Sequence, residues 1–258
     1  MKPVNRIIVN ADDLGYSTAV NEAILRSFLS DLISSTSLLA NMPGFVDAAQ
    51  LVRQNSRLKG KVGVHLNLTE GYALSGLIRQ CPRFCDPSGA FIYRREKPLF
   101  FLSRPEQKAV YAEMKAQIDR VISEGIQPSH LDSHHHVHTE WAIGRIAARL
   151  GKDYGIRKLR LSRNMGNLQS RAKRLYKTIF NQWYLKGIAG IRGTDYFGDL
   201  EDFQSLLASR TLRGKSIEVM VHPLLNESGA LVDYDRKSLP AKVNDLIDHR
   251  HTISYSDL

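Results

Sequence analysis

The sequence predicts an α/β fold, a single (β/α) barrel-like domain with seven or eight mostly parallel strands. Two observations carry this expectation. Short apolar, β-branched runs alternate with helical stretches along the chain, the pattern of parallel βαβ units. No internal repeat or low-complexity linker divides the 258 residues, whose 43% hydrophobic and 24% charged content is that of an ordinary globular protein.

The runs that read as strands are Arg6–Asn10, Ile33–Ala40, Lys61–Leu68, Pro128–His134, Lys158–Leu161, Ser216–His222 and Thr252–Tyr255, with a further one near Thr194–Phe197. Between them, helices are expected at Thr18–Ser30, Phe45–Gln54, Pro105–Glu124, Thr139–Leu150, Leu168–Leu185, Leu200–Ser209 and Leu239–Asp248. The third has Pro105 and Glu106 in its first turn, an apolar stripe of Ala109, Met114, Ile118, Val121 and Ile122, and Gly125 as its stop. The irregular stretch from Gly71 to Arg104 contains Pro82, Pro87 and Pro98 and reads as one long loop excursion within a domain spanning residues 1–258.

Composition narrows the functional classes. No stretch approaches the ~20 apolar residues of a membrane span. Residues 1–9 lack the pattern of a secretory leader, so a cytoplasmic protein is expected. Cys81 and Cys85 are the only cysteines; they read as reduced thiols and exclude a disulfide framework or a four-thiolate zinc site. The net charge of +10 is concentrated between Arg157 and Arg192, which holds ten Lys/Arg and no acidic residue. A solvated basic helix accounts for such a stretch more simply than nucleic-acid binding, since no nucleic-acid fold signature accompanies it.

Chemistry-bearing residues fall at strand ends, where α/β folds build their sites. The run Ile7-Ile8-Val9 leads to Asp12 and Asp13; His65 stands inside an apolar strand; His222 ends another. The segment from His130 to His138 holds five histidines in nine residues. A carboxylate after a strand is commonly a helix cap, and a lone strand histidine is commonly a core residue. Four such ends in one parallel architecture converge. Imidazole and carboxylate ligands suit one divalent ion, Zn, Mn, Fe, Co or Ni and less readily Mg. Two histidines and one aspartate leave coordination positions open for water and substrate, and a neighbouring carboxylate is placed to act as general base. Consecutive strand residues point to opposite sides, so Asp12 and Asp13 are expected to approach the site from different directions. Alternation puts His130, Asp132 and His134 on one face, with His134 nearest the strand end as ligand and Asp132 behind a ligand histidine. His136 and His138 are expected in the following loop, lining the cleft or exposed.

At these residues the sequence resembles the YdjC-like family of carbohydrate deacetylases, which includes chitooligosaccharide deacetylases. The motifs are Val9-Asn10-Ala11-Asp12-Asp13-Leu14-Gly15, Gly63-Val64-His65-Leu66-Asn67-Leu68-Thr69, His130 to His138, and Glu218-Val219-Met220-Val221-His222-Pro223. The resemblance implies a variant (β/α) barrel, a divalent metal such as Mg2+ or Zn2+, and hydrolysis of an amide bond in an N-acetylated sugar or glycolipid. It implies Asp13, His65 and His134 as metal ligands, Asp12 as general base and His222 as general acid. Some members are associated with hopanoid lipid synthesis. The match weakens over Gly71–Arg104 and Arg157–Arg192. Two rival readings stand beside it: a metal-dependent phosphoesterase acting on an anionic substrate, and a non-enzymatic anion binder using residues 157–192. A homodimer is compatible with each.

Overall fold

The computed structural model describes residues 6–96, 98–165, 170–209, 212, 214–248 and 251–258. Its centre is a parallel six-stranded sheet in the order β4-β3-β2-β1-β6-β5. The strands are β1 (Arg6–Leu14), β2 (Ser35–Leu38), β3 (Val62–Leu66), β4 (Leu131–Ser133), β5 (Tyr196–Gly198) and β6 (Ser216–Val221). A separate antiparallel pair, β7 (Leu224–Leu225) and β8 (Leu231–Val232), follows β6.

Strand alternation divides the sheet into two chemically different faces. Ile7, Val9 and Ala11 of β1, Val62, Val64 and Leu66 of β3, and Ile217, Val219 and Val221 of β6 join the apolar core. The intervening positions include Asn10, Asp12, His65 and Glu218, all buried. Period-2 geometry therefore places a polar cluster on the face opposite the apolar one.

The described α-helices are α1 (Thr18–Leu29), α2 (Phe45–Gln54), the short α3 (Gly76–Arg79), α4 (Arg104–Ser123), α5 (Trp141–Asp153), α6 (Arg171–Thr178), α7 (Leu200–Ser209) and α8 (Leu239–Leu246); all but α6 bury apolar side chains in the core. Helix α4 begins with a capping box between Ser103 and Glu106 and ends before Gly125, which takes φ +77°. Its buried face includes Ala109, Met114, Ile118 and Val121, but also Glu113 and Gln117. Glu113 accepts from the backbone N–H groups of Leu74 and Ser75, and Gln117 bonds both backbone groups of Asn67. Two buried polar side chains thereby tie the chain after β3 to the helix.

Several expectations are corrected. The barrel of seven or eight strands is reduced to six paired strands in a barrel-like α/β sheet. Lys158–Leu161 contributes single parallel bridges, Leu131 to Leu159 and Lys158 to Arg192, and Thr252–Tyr255 one bridge, Ile7 to Thr252. These segments are too short in regular pairing to count as strands. The helix expected from Thr139 starts at Trp141, because His134–Thr139 forms 3₁₀ turns with His135 and His136 left-handed. The helix expected at Leu168–Leu185 runs from Arg171 to Thr178 and widens into a π-helix over Ile179–Ile188; its expected start at Leu168 lies outside the described residues. The Gly71–Arg104 excursion contains α3 and bridges joining Tyr72 to Ala90 and Cys85 to Phe91. Cys81 and Cys85 are free and buried there, and burial pushes the Cys85 thiol up to about 11. Among the described residues, no helix is long and apolar enough to cross a membrane.

Candidate metal centre and cleft

Register brings the first pair of site residues together. His65 on β3 is the direct partner of Asp132 on β4, and Asp132 Oδ1 accepts from His65 Nδ1 at 2.7 Å. Ser37 on β2 donates to Asp132 Oδ2 at 2.8 Å, and Asn10 on β1 donates to Ser37 Oγ at 3.2 Å. The His65 ring is thus fixed by its inner nitrogen, and Nε2 points to Asp13 Oδ1 at 3.3 Å. Asp13 Oδ1 also lies 2.9 Å from His134 Nδ1. Asp13, His65 and His134 each offer a ligand atom within one small sphere, all within 4.8 Å of one another.

Asp13 reaches this position through a break in the strand. Its φ is +72°, and the β1–β2 register shifts between Ala11 and Leu14. Asp12 and Asp13 both line one cleft, Asp13 turned into it by the bulge. His135 and His136 take φ +49° and +55°. Left-handed backbone at a non-glycine residue costs roughly 1–3 kcal/mol. Three of the five described non-glycine residues in that state are Asp13, His135 and His136, so the strain is concentrated at this site.

Electrostatics fit a cation. Burial alone would raise the Asp13 carboxyl, but contacts with His134 and His65 hold it well below the ordinary range. Burial would depress His65, yet Asp132 and Asp13 outweigh it and push the imidazole up to about 10. Asp13 Oδ1, His65 Nε2 and His134 Nδ1 face one another, the two nitrogens at 3.3 and 2.9 Å from the carboxylate oxygen. One carboxylate oxygen and two imidazole nitrogens gathered this closely are a donor set that a divalent ion would complete.

Asp12 stands beside this triad in a different environment. Arg160 Nη1 and Nη2 donate to its two oxygens, each at 2.6 Å, and Asn10 adds a third bond at 2.9 Å. Arg160 is fully buried; its Nε donates to Glu218 at 2.7 Å, its Nη2 lies 3.0 Å from Asp132, and Phe197 covers its guanidinium at 4.7 Å. Tyr255 in turn donates to Glu218. Burial pushes the Glu218 carboxyl up to about 7 although Arg160 opposes it.

The cleft has a volume of about 580 Å3 and is lined by Asp12, Asp13, His65, His134, His136 and His222, among others. His222 follows β6; its backbone N–H donates to Asp233, and its ring meets Tyr234 edge-on at 5.6 Å. His136 is half-buried with its ring edge-on to Phe197, and desolvation with Arg160 nearby holds its pKa well below the ordinary value. His138 is not on the cleft. It is buried, bonded through Nδ1 to Ser133 at 2.5 Å, and burial depresses it to about 3. That corrects its expected place in an exposed or cleft-lining loop: the tight 3₁₀ turn folds the ring back under β4. His130 lies deeper still, stacked on Tyr255 at 3.7 Å and packed over Gly63, where any Cβ would come within 2.4 Å of its ring.

Sequence reasoning does not find Arg160, Glu218, Tyr255, Ser37 or Asn10. It groups Arg160 with the basic stretch, although a cation between Leu159 and Leu161 in an expected strand is a signal. It also misses Glu70, whose carboxylate approaches His134 Nε2 at 3.5 Å. The stretch itself is not a uniform solvated face. Arg163 pairs with Asp199 and Asp202, and Lys177 and Lys186 donate to backbone carbonyls.

The YdjC-like protein family model matches residues 6–250. A carbohydrate deacetylase from Halalkalibacterium halodurans is 38% identical over 151 residues, covering 58% of this chain and 62% of that protein. The carbohydrate deacetylase of Geobacillus stearothermophilus is 33% identical over 220 residues, covering 84% of this chain and 78% of the relative. Among solved structures, a candidate cellobiose-phosphate cleavage protein from Enterococcus faecalis superposes with TM-score 0.70 at 24% identity, over 98% of both chains. A lactam utilization protein from Thermus thermophilus gives TM-score 0.51 at 13% identity over 96% of this chain and 98% of that one. Motif order, the convergence of the motif residues on one cleft and the match across nearly the whole sequence agree: this chain belongs to the YdjC-like family.

Proposed function

We propose that this protein is a divalent-metal-dependent hydrolase that removes N-acetyl groups from an amino-sugar substrate. The observation that carries the reading is the Asp13–His65–His134 cluster beside the Arg160-clamped Asp12 on one open cleft. The relatives named carbohydrate deacetylases support the choice of substrate.

Asp13, His65 and His134 would hold one ion, with Mg2+, Zn2+, Mn2+, Co2+ or Ni2+ as candidates and the two imidazoles favouring the later transition metals. When bound, it supplies Lewis-acid polarisation of water and of an amide carbonyl. Asp132 holds His65 in one orientation. Asp12, which lines the cleft, accepts the proton of the attacking water, and Arg160 keeps that carboxylate fixed. His222, just after β6 on the side of β1 away from β2, donates a proton to the departing nitrogen, which is too basic to leave as an anion. Acetate and a free amino sugar result. Domain boundaries of 1–258 with an excursion at 71–104 belong to the same reading, as do supporting places for His136 against the substrate and His138 beneath β4.

The phosphoesterase reading is weaker on geometry. Further possible ligand sets, Glu70–His134–His135 and Asp12–His65–Asp132, share His134 or His65 with the first. The two nitrogens of one imidazole diverge, so such sets do not form the pair of ions ~3.5–4 Å apart used in phosphoryl transfer. The test is acetate release from a panel of N-acetylated sugars and glycolipids by metal-stripped protein resupplied with each ion. Release that needs metal and disappears in His65→Ala and His134→Ala is expected. No release from any substrate despite stoichiometric bound metal would overturn the reading.

A further inference from the structure

A second concave surface of about 810 Å3 lies between α4 and α5 and shares no lining residue with the cleft. Its lining includes Arg104, Lys108, Lys115, Arg145 and Arg149 and no acidic residue. Lys115 is paired with Asp119 at 2.6 Å and Arg149 lies 3.7 Å from Asp153. Arg104, Lys108 and Arg145 have no ion-pair partner among the described residues. Basic side chains left unpaired around an acid-free groove attract an anionic partner.

The same surface carries apolar groups that point into water. Phe101 is 86% exposed and Phe100 47%, both on the groove. Phe100 meets Tyr176 of α6 at 6.0 Å, which links the groove to the next helix. Along α6 and the π-helix, Tyr176, Phe180 and Tyr184 pack on Trp141. Leu175, Ile179 and Trp183, each one residue earlier, are left exposed at 62%, 41% and 60%. Arg171 and Arg174 are exposed on the same α6. Clustered apolar side chains on a surface mark an interaction site, and aromatic residues interleaved with Arg and Lys are the composition that lies in a lipid interface.

Placement supports that partner. Helix α4 leads into β4 and α5 leads out of it, so both begin at the carboxyl end of the sheet, where the cleft opens. Phe100, Phe101 and Arg104 sit at that end, fastened to α5 by the bond from Ala142 N–H to Leu99 O at 3.1 Å. We propose that this face docks on an anionic lipid bilayer, with Phe100, Phe101 and Trp183 entering the interface and Arg104, Lys108 and Arg145 meeting lipid phosphates. Docked this way, the end of the sheet that carries the cleft lies next to the membrane. The docking does not depend on the reaction carried out in the cleft.

The test is sedimentation of the full chain with vesicles of phosphatidylcholine alone and of phosphatidylcholine containing roughly one-third phosphatidylglycerol. Binding is expected only to the anionic vesicles, with a blue shift of tryptophan emission and loss in ~0.5 M salt. Phe101→Ser with Trp183→Ser should weaken binding by about tenfold or more, and Lys108→Glu with Arg145→Glu should remove the preference for anionic vesicles. Unchanged thermal melting of both pairs shows that the fold survives; if either pair unfolds, the single changes Phe101→Ser and Lys108→Gln replace it. Absence of wild-type binding, or binding indifferent to the variants, would overturn the proposal. A dimer dissolved by the same variants in light scattering would assign the face to a second copy. Binding to a polyglutamate peptide but not to vesicles would assign it to an acidic protein.

Discussion

Arg160→Met is the most informative single change, because one guanidinium holds three buried carboxylates apart. Asp12 receives two bonds at 2.6 Å, Glu218 one at 2.7 Å, and Asp132 lies 3.0 Å away. Methionine roughly matches the volume but leaves Asp12 and Glu218 without their guanidinium partner, with His65 on Asp132 as the remaining cation. Removing one partner of a buried ion pair costs about 3–5 kcal/mol. At ~2–4 °C per kcal/mol for a chain of this size, melting should fall by roughly 6–20 °C. The pH dependence follows from Asp132. Burial would raise its pKa, but Arg160 and His65 hold it far below the ordinary value. A depressed folded-state carboxylate adds stability above its unfolded pKa, about 3.8, and loses it as pH falls through the folded value. In the variant the Arg160 part of that contribution is lost and the His65 part remains, so the gap between wild type and variant should be widest near neutrality and narrow below pH ~4. Urea unfolding across that range measures it. A loss under ~1 kcal/mol at neutral pH, or a gap that widens on acidification, would refute the account of Arg160 as the charge that balances the interior. Arg160→Met combined with Asp12→Asn should recover part of the loss, since one of the stranded acids is then neutral.

Metal affinity should rise with pH. His65 stands at about 10 without metal and must lose its proton to coordinate. Titration calorimetry in buffers of different ionisation enthalpy should therefore detect proton release on binding at neutral pH, and a pH-independent affinity between about 6 and 9 would contradict it. Asp12→Asn should keep metal binding while lowering kcat by ~10²–10⁴; full turnover would remove Asp12 from proton transfer. Gly63→Ala should destabilise by about 1–3 kcal/mol, because its Cβ would lie 2.4–2.6 Å from the His130 ring atoms. Unchanged thermal stability would show that the ring moves aside freely.

Much of the site is legible in the sequence because its residues interrupt apolar runs. Asp12, Asp13, His65, His134 and His222 stand at or near the ends of β1, β3, β4 and β6. What is not legible is what those residues touch. The buried arginine looks like one more member of a basic segment, since period-2 alternation marks which positions are inward without saying what lies opposite. Glu218 sits in an ordinary-looking strand, and its partners Arg160 and Tyr255 are 58 and 37 residues away. His130 and His138 share the histidine-rich run with His134, but stacking on Tyr255 and a bond to Ser133 assign both to the structure beneath the cleft.

The parallel α/β class, the strand ends that carry chemistry and the family follow from local periodicity and residue order and so are readable from the residues alone. The six paired strands of the sheet, the bulge that turns Asp13 into the cleft beside Asp12, and the interior place of Arg160 emerge only in the folded chain. Those features depend on strand register and long-range charge pairing, which bring together residues that no local pattern relates.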